Sequence, residues 1–396
     1  MKLFRWTIAI IVVLVNSVIA QEIKVGVYRA YTISKIDFSH HDGRYQIYGD
    51  SSLLGTIISN DYVSLRWNSD QKVEVYHGTI FKGEFKRIRL SPTQHGTHLR
   101  LHPKSPVVKE RRYQGGFSVT AASKGLTIVN LVDLDQYVAG VVESEGGGGK
   151  HLEYYKAQAV LSRTYALKHQ SRHRREGFSM CDEVHCQAYH NGLRYTQLIR
   201  TAVEATHGVY VIHQDTEEMV SGFFHANCGG QTSGADYIWK ENIPYLQPFK
   251  DTFCIYTKQA TWEKEIPKKA WRDFLVNNYF FPIEDSVYRS IIYTFAQLDR
   301  KVFYLSPHLG IPLRDIRQHF KLKSTYFSCY PDGEMVVLKG RGFGHGVGMC
   351  QEGAMSMANK GFDYKKILSH YFDGVQFVNR EQELFFNQKT TDIWDF

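Results

Sequence analysis

The chain has 396 residues, is 43% hydrophobic and carries a formal charge of +8. Its basic residues are spread out without a long Lys/Arg block and without a nucleic-acid motif. Nucleic acid is therefore not expected as a partner, and the charge reads either as simple solubility or as affinity for an anionic polymer. A chain of this length can fold without help from disulfides.

The first twenty residues read as a secretory signal peptide. Lys2 and Arg5 form a basic start, Ile8–Val15 is mostly aliphatic, and Val18, Ile19 and Ala20 offer small side chains for cleavage. The apolar run is too short to span a bilayer. Gln21 follows instead of cysteine, so no lipoprotein anchor is expected, and no later run is long enough to cross a membrane. The expectation is a secreted or periplasmic protein of the cell envelope.

Residues 21–112 alternate apolar and polar positions in short runs such as YVSLRW, VEVYHG and THLRLH, separated by turn signals. This pattern predicts a β-rich N-terminal domain, with KSPVVKERR (104–112) as a solvated connector. Leu126–Leu134 predicts another strand, and Asp135 is placed to cap a short helix over 136–142. GGGGK (146–150) is a turn. HLEYYKAQAVLSRTYALKHQ predicts a helix, with Leu152, Tyr155, Ala159, Ser162 and Ala166 along one face. A second helix is expected over 198–206, stopped by Gly208. Strands are expected at 208–212 and 220–225, and an insertion or subdomain at 257–310. The segment 311–396 then supplies further helices, including IPLRDIRQHF, QEGAMSMANKG and YKKILSHYF.

GRGFGHGVGMCQEGA (340–354) places glycine at every second residue from Gly340 to Gly348. Read as a strand, it has one bare face, with Arg341, Phe343, His345 and Val347 on the other. A bare face permits tight packing against another backbone, or forms a cleft wall that a flat ligand can approach. It is neither a phosphate loop nor a dinucleotide fingerprint.

Several side chains are candidates for chemistry. Glu145 and Glu143 are carboxylates two residues apart. If the chain is extended there, they share a face and one raises the pKa of the other. Cys181, His185 and Cys186 fall within CDEVHCQ, and His173 lies nearby. Two thiols and two imidazoles can ligate structural zinc. The alternative is a disulfide, local or reaching Cys228, Cys254 or Cys350. His225 in HANCGGQT is either a donor to substrate or a strand-end histidine bonded to backbone.

Five blocks in order, DQYVAGVVESE, YYKAQAVLSRTYAL, CDEVHCQAY, FFHANCGGQT and GRGFGHGVGMCQEGA, closely resemble the stage II sporulation protein D (SpoIID/LytB) family. The resemblance spans roughly 113–256 and 311–376. It implies an α+β protein: a β-rich N-terminal domain followed by a mixed α/β core with a glycan-binding cleft. It also implies a peptidoglycan lytic transglycosylase, with a non-catalytic enhancer of a cell-wall amidase as the alternative. Glu145 matches the family's catalytic acid. Gln158 and Arg163 match polar positions on the next helix, and Arg163 is read as a substrate clamp or as the partner of a carboxylate. His225, His345 and Gln351 fall in blocks that line the family's cleft. Some members bind zinc at a site of similar composition but different spacing. The family commonly has Met-Pro after the glutamate. Gly146–Gly149 here implies a looser support.

Peptide-stripped glycan exposes a row of carboxylates, for which Arg163, Arg341 and Lys240 are candidate partners. One acid suffices for lytic transglycosylation, because the sugar's own C6 hydroxyl attacks C1 and effective molarity replaces an enzyme nucleophile. A hydrolase would need Glu143 or Asp135 as a second carboxylate to activate water.

Overall fold

The computed structural model describes residues 21–239 and 242–380. The expected signal peptide, Lys240 and the segment 381–396 lie outside the described residues. The architecture is α+β, with several sheets and helices of 4 to 17 residues around two hydrophobic cores.

Two sheets form the N-terminal part. One has seven strands in the spatial order Met180–Cys181, Glu22–Val27, Gly125–Asp133, Gly116–Ala122, Arg87–Pro92, Tyr45–Gly49 and Ser52–Ile57. The other has six, from Arg111–Gln114 through His98–Ser105, Lys35–His40, Tyr62–Trp67 and Val73–His77 to Ile80–Phe85. Period-two patterning explains their packing. Ile36, Phe38, Val63, Leu65, Leu99 and Leu101 of one sheet are buried with Ile47, Ile88, Leu90, Phe117 and Val119 of the other. Phe38 and Phe117 meet edge to face across the gap, 5.2 Å between centroids.

The strands on either side of residue 112 are hydrogen-bonded into these same sheets. The β region therefore continues to Asp133, and no domain edge falls at 112. Of the expected connector 104–112, only 106–110 lie between the two paired strands, as a largely exposed reversal. The reversal ends at buried Arg111, which is ion-paired with buried Asp182.

Asp133 closes the last long strand and caps α1 (Leu134–Gly146), accepting from the amides of Asp135 and Gln136. The cap thus falls two residues earlier than Asp135. The helix also runs further than expected and carries both Glu143 and Glu145. α2 (Leu152–Lys168) follows. From Tyr154 to Leu167 every residue but Lys156 is buried, so the one-faced stripe expected for it does not describe it. Ala157, Ala159 and Ser162 let neighbours approach closely. α3 (Gln197–Ala205) packs its apolar face of Ile199, Ala202 and Val203 inward.

The second core gathers Trp262, Trp271, Phe274, Leu313, Ile316, Phe327 and Leu338. Its sheet pairs Thr261–Pro267 with Met335–Arg341, and the latter with Phe327–Asp332. The expected insertion at 257–310 is therefore only part of a unit that closes at Arg341, because the strand begun at 261 finds its partner after 327.

The glycine run is not a strand beyond Arg341. Gly342, Gly344, Gly346 and Gly348 all have φ between +72° and +109°, so the alternation reflects repeated left-handed turns instead of a bare sheet face. The loop presses on the backbone of 223–229. A Cβ at Gly342 would lie 2.6 Å from the Asn227 carbonyl oxygen, and one at Gly348 would fall on that of Phe223. The Asn227 and Phe343 backbones exchange hydrogen bonds of 3.0 and 2.8 Å. A parallel pair, Phe224–His225 with Met349–Cys350, completes the seam.

Candidate active site and thiol–imidazole cluster

A cleft of about 1260 Å³ runs between α1, α2, the 172–187 loop and the glycine loop. Glu145, His225, His345 and Gln351 all line it. Glu145 lies in the last turn of α1, so the glycines after it do not loosen it. Gly147 closes the helix with its amide on the Glu143 carbonyl. The Glu145 carboxylate accepts a hydrogen bond from the Ala188 amide at 2.8 Å. Burial raises its pKa above the ordinary 4.5, offset in part by that amide. Tyr154 stands behind it, within electrostatic reach of Glu145, its buried hydroxyl making no hydrogen bond among the described residues.

Glu143 does not share this environment. Its carboxylate accepts from the amides of Arg194, Tyr195 and Thr196 at 2.8–3.0 Å, pinning the loop before α3. Helical geometry turns the two glutamates to different faces, so like-charge repulsion does not set the Glu145 pKa. Asp135 is also committed elsewhere, to Arg163 and His207.

Arg163 is buried away from the cleft lining. It grips Asp135 Oδ1 through Nε at 3.0 Å and Nη2 at 2.7 Å, and it donates to the Val209 carbonyl at 3.1 Å. This corrects the clamp reading: Arg163 is the partner of a carboxylate, and that carboxylate belongs to Asp135. Gln158 is fully buried and sits one layer back, its Oε1 accepting from Gln351 Nε2 at 3.3 Å. It orients Gln351 and does not reach the cleft itself. Arg341 is likewise displaced to the second unit, over the Tyr326 ring at 3.8 Å, donating to the Gln297 carbonyl.

The two histidines face the cleft as neutral groups. His225 Nδ1 bonds the Val347 carbonyl at 3.1 Å, while its buried Nε2 has no hydrogen-bond partner among the described residues. Burial, then the charges of His345 and Arg300, hold its pKa well below 6.5. His345 Nδ1 accepts from the Val347 amide at 3.1 Å, and its pKa falls to about 4, chiefly through burial, with Arg317 adding to the effect. Their rings lie 5.6 Å apart. Cationic lining comes from Lys168, Arg172 and Arg317. Sequence reading passed over these three. Arg172 sits in the dense basic run SRHRR, and Arg317 on a helix assigned only a structural part; nothing local marks either as a cleft residue.

Beside the cleft the ligand atoms of His173, Cys181, His185 and Cys186 lie within 4.8 Å of one another. Cys186 Sγ is 3.3 Å from His173 Nε2 and 3.8 Å from His185 Nδ1, and Cys181 Sγ is 3.7 Å from the latter. The other nitrogen of His173 meets Glu176 at 2.6 Å, and Glu176 is held in turn by Arg29. This carboxylate–histidine arrangement fixes a ring with Nε2 turned to the thiols. The donor set fits tetrahedral zinc with all four positions filled by protein. No disulfide joins cysteines among the described residues. The cluster ends two residues before Ala188, whose amide holds Glu145.

Residues 122–213 match the sequence model of the stage II sporulation protein (SpoIID) family. This stretch is similar to a SpoIID domain. It includes α1, α2, Glu145 and the thiol–imidazole cluster. An uncharacterized protein of Brachyspira hyodysenteriae is 28% identical over 289 residues, 71% of this chain and 76% of that one. The stage II sporulation protein D of Bacillus subtilis is 28% identical over 280 residues, covering 66% and 78%. An amidase enhancer of the same organism is 24% identical over 288 residues, but these make up only 39% of its length. The matched stretch contributes the acid and one cleft wall. His225, His345 and Gln351 come from beyond residue 213 and build the other.

Proposed function

We propose that this chain is a lytic transglycosylase of the cell envelope. It would cleave the MurNAc–GlcNAc bond of peptide-stripped peptidoglycan and leave a 1,6-anhydro end. The observation that carries this reading is Glu145: a half-buried carboxyl with a raised pKa, in a cleft whose other lining carboxylate is the exposed Glu218 and where neither Glu143 nor Asp135 can serve as its pair. A carboxyl whose burial favours its protonated form can donate to the leaving glycosidic oxygen. The resulting carboxylate then accepts the proton of the C6 hydroxyl as that oxygen closes on C1. Neutral His225, His345 and Gln351 can hydrogen-bond the sugars without opposing the positive charge that develops at C1. Lys168, Arg172 and Arg317 offer cations to the lactyl carboxylates. The Cys181–Cys186–His173–His185 set would hold a structural zinc that steadies the loop donating to Glu145.

The amidase-enhancer relative motivates a second reading, in which the same cleft binds glycan and stimulates a partner amidase without cleaving. Incubating the protein with stripped glycan strands and analysing products by mass spectrometry separates the two. The expected products are 1,6-anhydro ends from the wild type, reduced by at least about 10²-fold in Glu145→Gln. Reducing ends would indicate a hydrolase. Intact strands, with unchanged amidase stimulation by Glu145→Gln, would indicate an enhancer.

A further inference from the structure

A second cluster of metal-ligating groups lies behind the cleft, unrelated to the thiol–imidazole set. Cys228, Cys254, Cys350 and Asp251 are all buried, and their ligand atoms lie within 4.8 Å of one another. Cys228 Sγ is 3.2 Å from Cys254 Sγ and 3.3 Å from Asp251 Oδ2. Two backbone amides, of Cys228 and Gly353, donate to Cys350 Sγ at 3.3 and 3.4 Å. Amide donors aimed at sulfur favour the thiolate. The carboxylate is also oriented from outside, by the Tyr371 hydroxyl on Oδ2 at 3.0 Å and the Phe253 amide on Oδ1 at 2.9 Å. Such outer partners are what a ligating carboxylate needs.

Arg300 supplies an independent sign of charge at this place. It is only 5% exposed, and its Nη2 donates to the Cys228 carbonyl at 2.6 Å. Among the described residues no carboxylate lies within ion-pair distance of it. A buried guanidinium without a counter-charge is costly. The acidic groups within its electrostatic reach are the Cys228 and Cys350 thiols and the Tyr326 hydroxyl.

We propose that Cys228, Cys254, Cys350 and Asp251 form a second zinc centre, a three-thiolate, one-carboxylate site with every position filled by protein. Thiolate-rich, closed tetrahedral sets suit zinc and a structural role. The centre would staple three segments that are separated in sequence. Cys228 follows His225 by three residues. Cys350 caps the helix Gln351–Asn359, whose first residue lines the cleft. Cys254 and Asp251 tie in the loop that passes behind both. The metal would also keep Cys228 and Cys254 from oxidising to a disulfide.

The test uses the full wild-type chain, purified with zinc and without chelator. Native protein is alkylated with iodoacetamide, with and without a zinc chelator, and labelled peptides are mapped by mass spectrometry. The proposal expects Cys228, Cys254 and Cys350 to be protected until the chelator is added. Protection that the chelator leaves unchanged would reflect burial alone and overturn it. So would a Cys228–Cys254 disulfide peptide in the isolated protein. Zinc content of Cys350→Ser should fall by one equivalent per chain relative to wild type, and an unchanged content also overturns the proposal. If that variant does not fold, the wild-type mapping decides alone.

Discussion

Replacing Arg163 with methionine distinguishes a brace from a substrate clamp. The side chain is 2% exposed and makes two hydrogen bonds to Asp135, which is 21% exposed. Methionine keeps much of the apolar stem but abandons the carboxylate and the Val209 carbonyl. Breaking a buried pair from one side costs about 3–5 kcal/mol. Asp135 retains some water and its contact with His207, so the lower end, about 3 kcal/mol, applies. With a urea dependence of about 3 kcal/mol/M, the unfolding midpoint should drop by roughly 1 M. Asp135→Asn in the same background should recover part of the loss, because the stranded charge is removed. Affinity of the still-folded variant for glycan strands should be close to wild type. A midpoint unchanged within about 0.5 kcal/mol, together with lost glycan affinity, would refute the brace and restore the clamp.

Two further substitutions probe the acid and the loop. Burial raises the Glu145 pKa above 4.5, so the folded state holds this proton more tightly than the unfolded chain, and stability from this group is lost as pH rises through the raised value. Glu145→Gln should therefore unfold at a higher temperature than wild type at neutral pH, with the gap closing as pH falls toward 4.5; a gap constant across that range contradicts the assignment. Gly348→Ala forces a side chain into φ +72° against the Phe223 carbonyl, whereas Gly361→Ala meets the same kind of φ, +86°, with nothing within 4 Å. Strain alone is worth about 1–3 kcal/mol, so Gly361→Ala should lose about that much and Gly348→Ala clearly more in urea unfolding; equal losses would mean that the loop does not press on the 223–229 backbone.

What the sequence disclosed follows the range over which each feature is determined. Period-two strands, the helix around Arg163 and the Cys181–Cys186 cluster are local, and their residues find one another within a few turns of chain. The glycine run was misleading for a physical reason: alternation at every second residue is the same in a strand and in successive left-handed turns, and only φ distinguishes them. Arg163 could be placed on a helix but not given a partner, since Asp135 lies 28 residues away and is freed for the pair only because Asp133 takes the cap. The thiols of Cys228, Cys254 and Cys350 were legible only as disulfide candidates. Their common meeting point, with Asp251 among them, is a product of the tertiary fold.

The choice between Glu143 and Glu145 shows how one helical turn can make two unlike carboxyls. Both sit near the carbonyl end of α1, where the helix dipole disfavours negative charge and the last turn has no basic residue to relieve it. Glu143 escapes by turning toward the start of α3, where three amides share its charge. Glu145 faces the cleft with one amide, from Ala188, and an otherwise desolvated setting. Its proton affinity is therefore set by how firmly the 181–188 loop holds that single donor and how completely the histidine wall excludes water. A thiol cluster adjoins each, one ending two residues from Ala188 and the other including Cys350, which caps the helix that begins at Gln351. A carboxyl that must stay protonated needs walls that do not open, and on each side of this cleft a buried set of soft ligands stands where such a wall would be anchored.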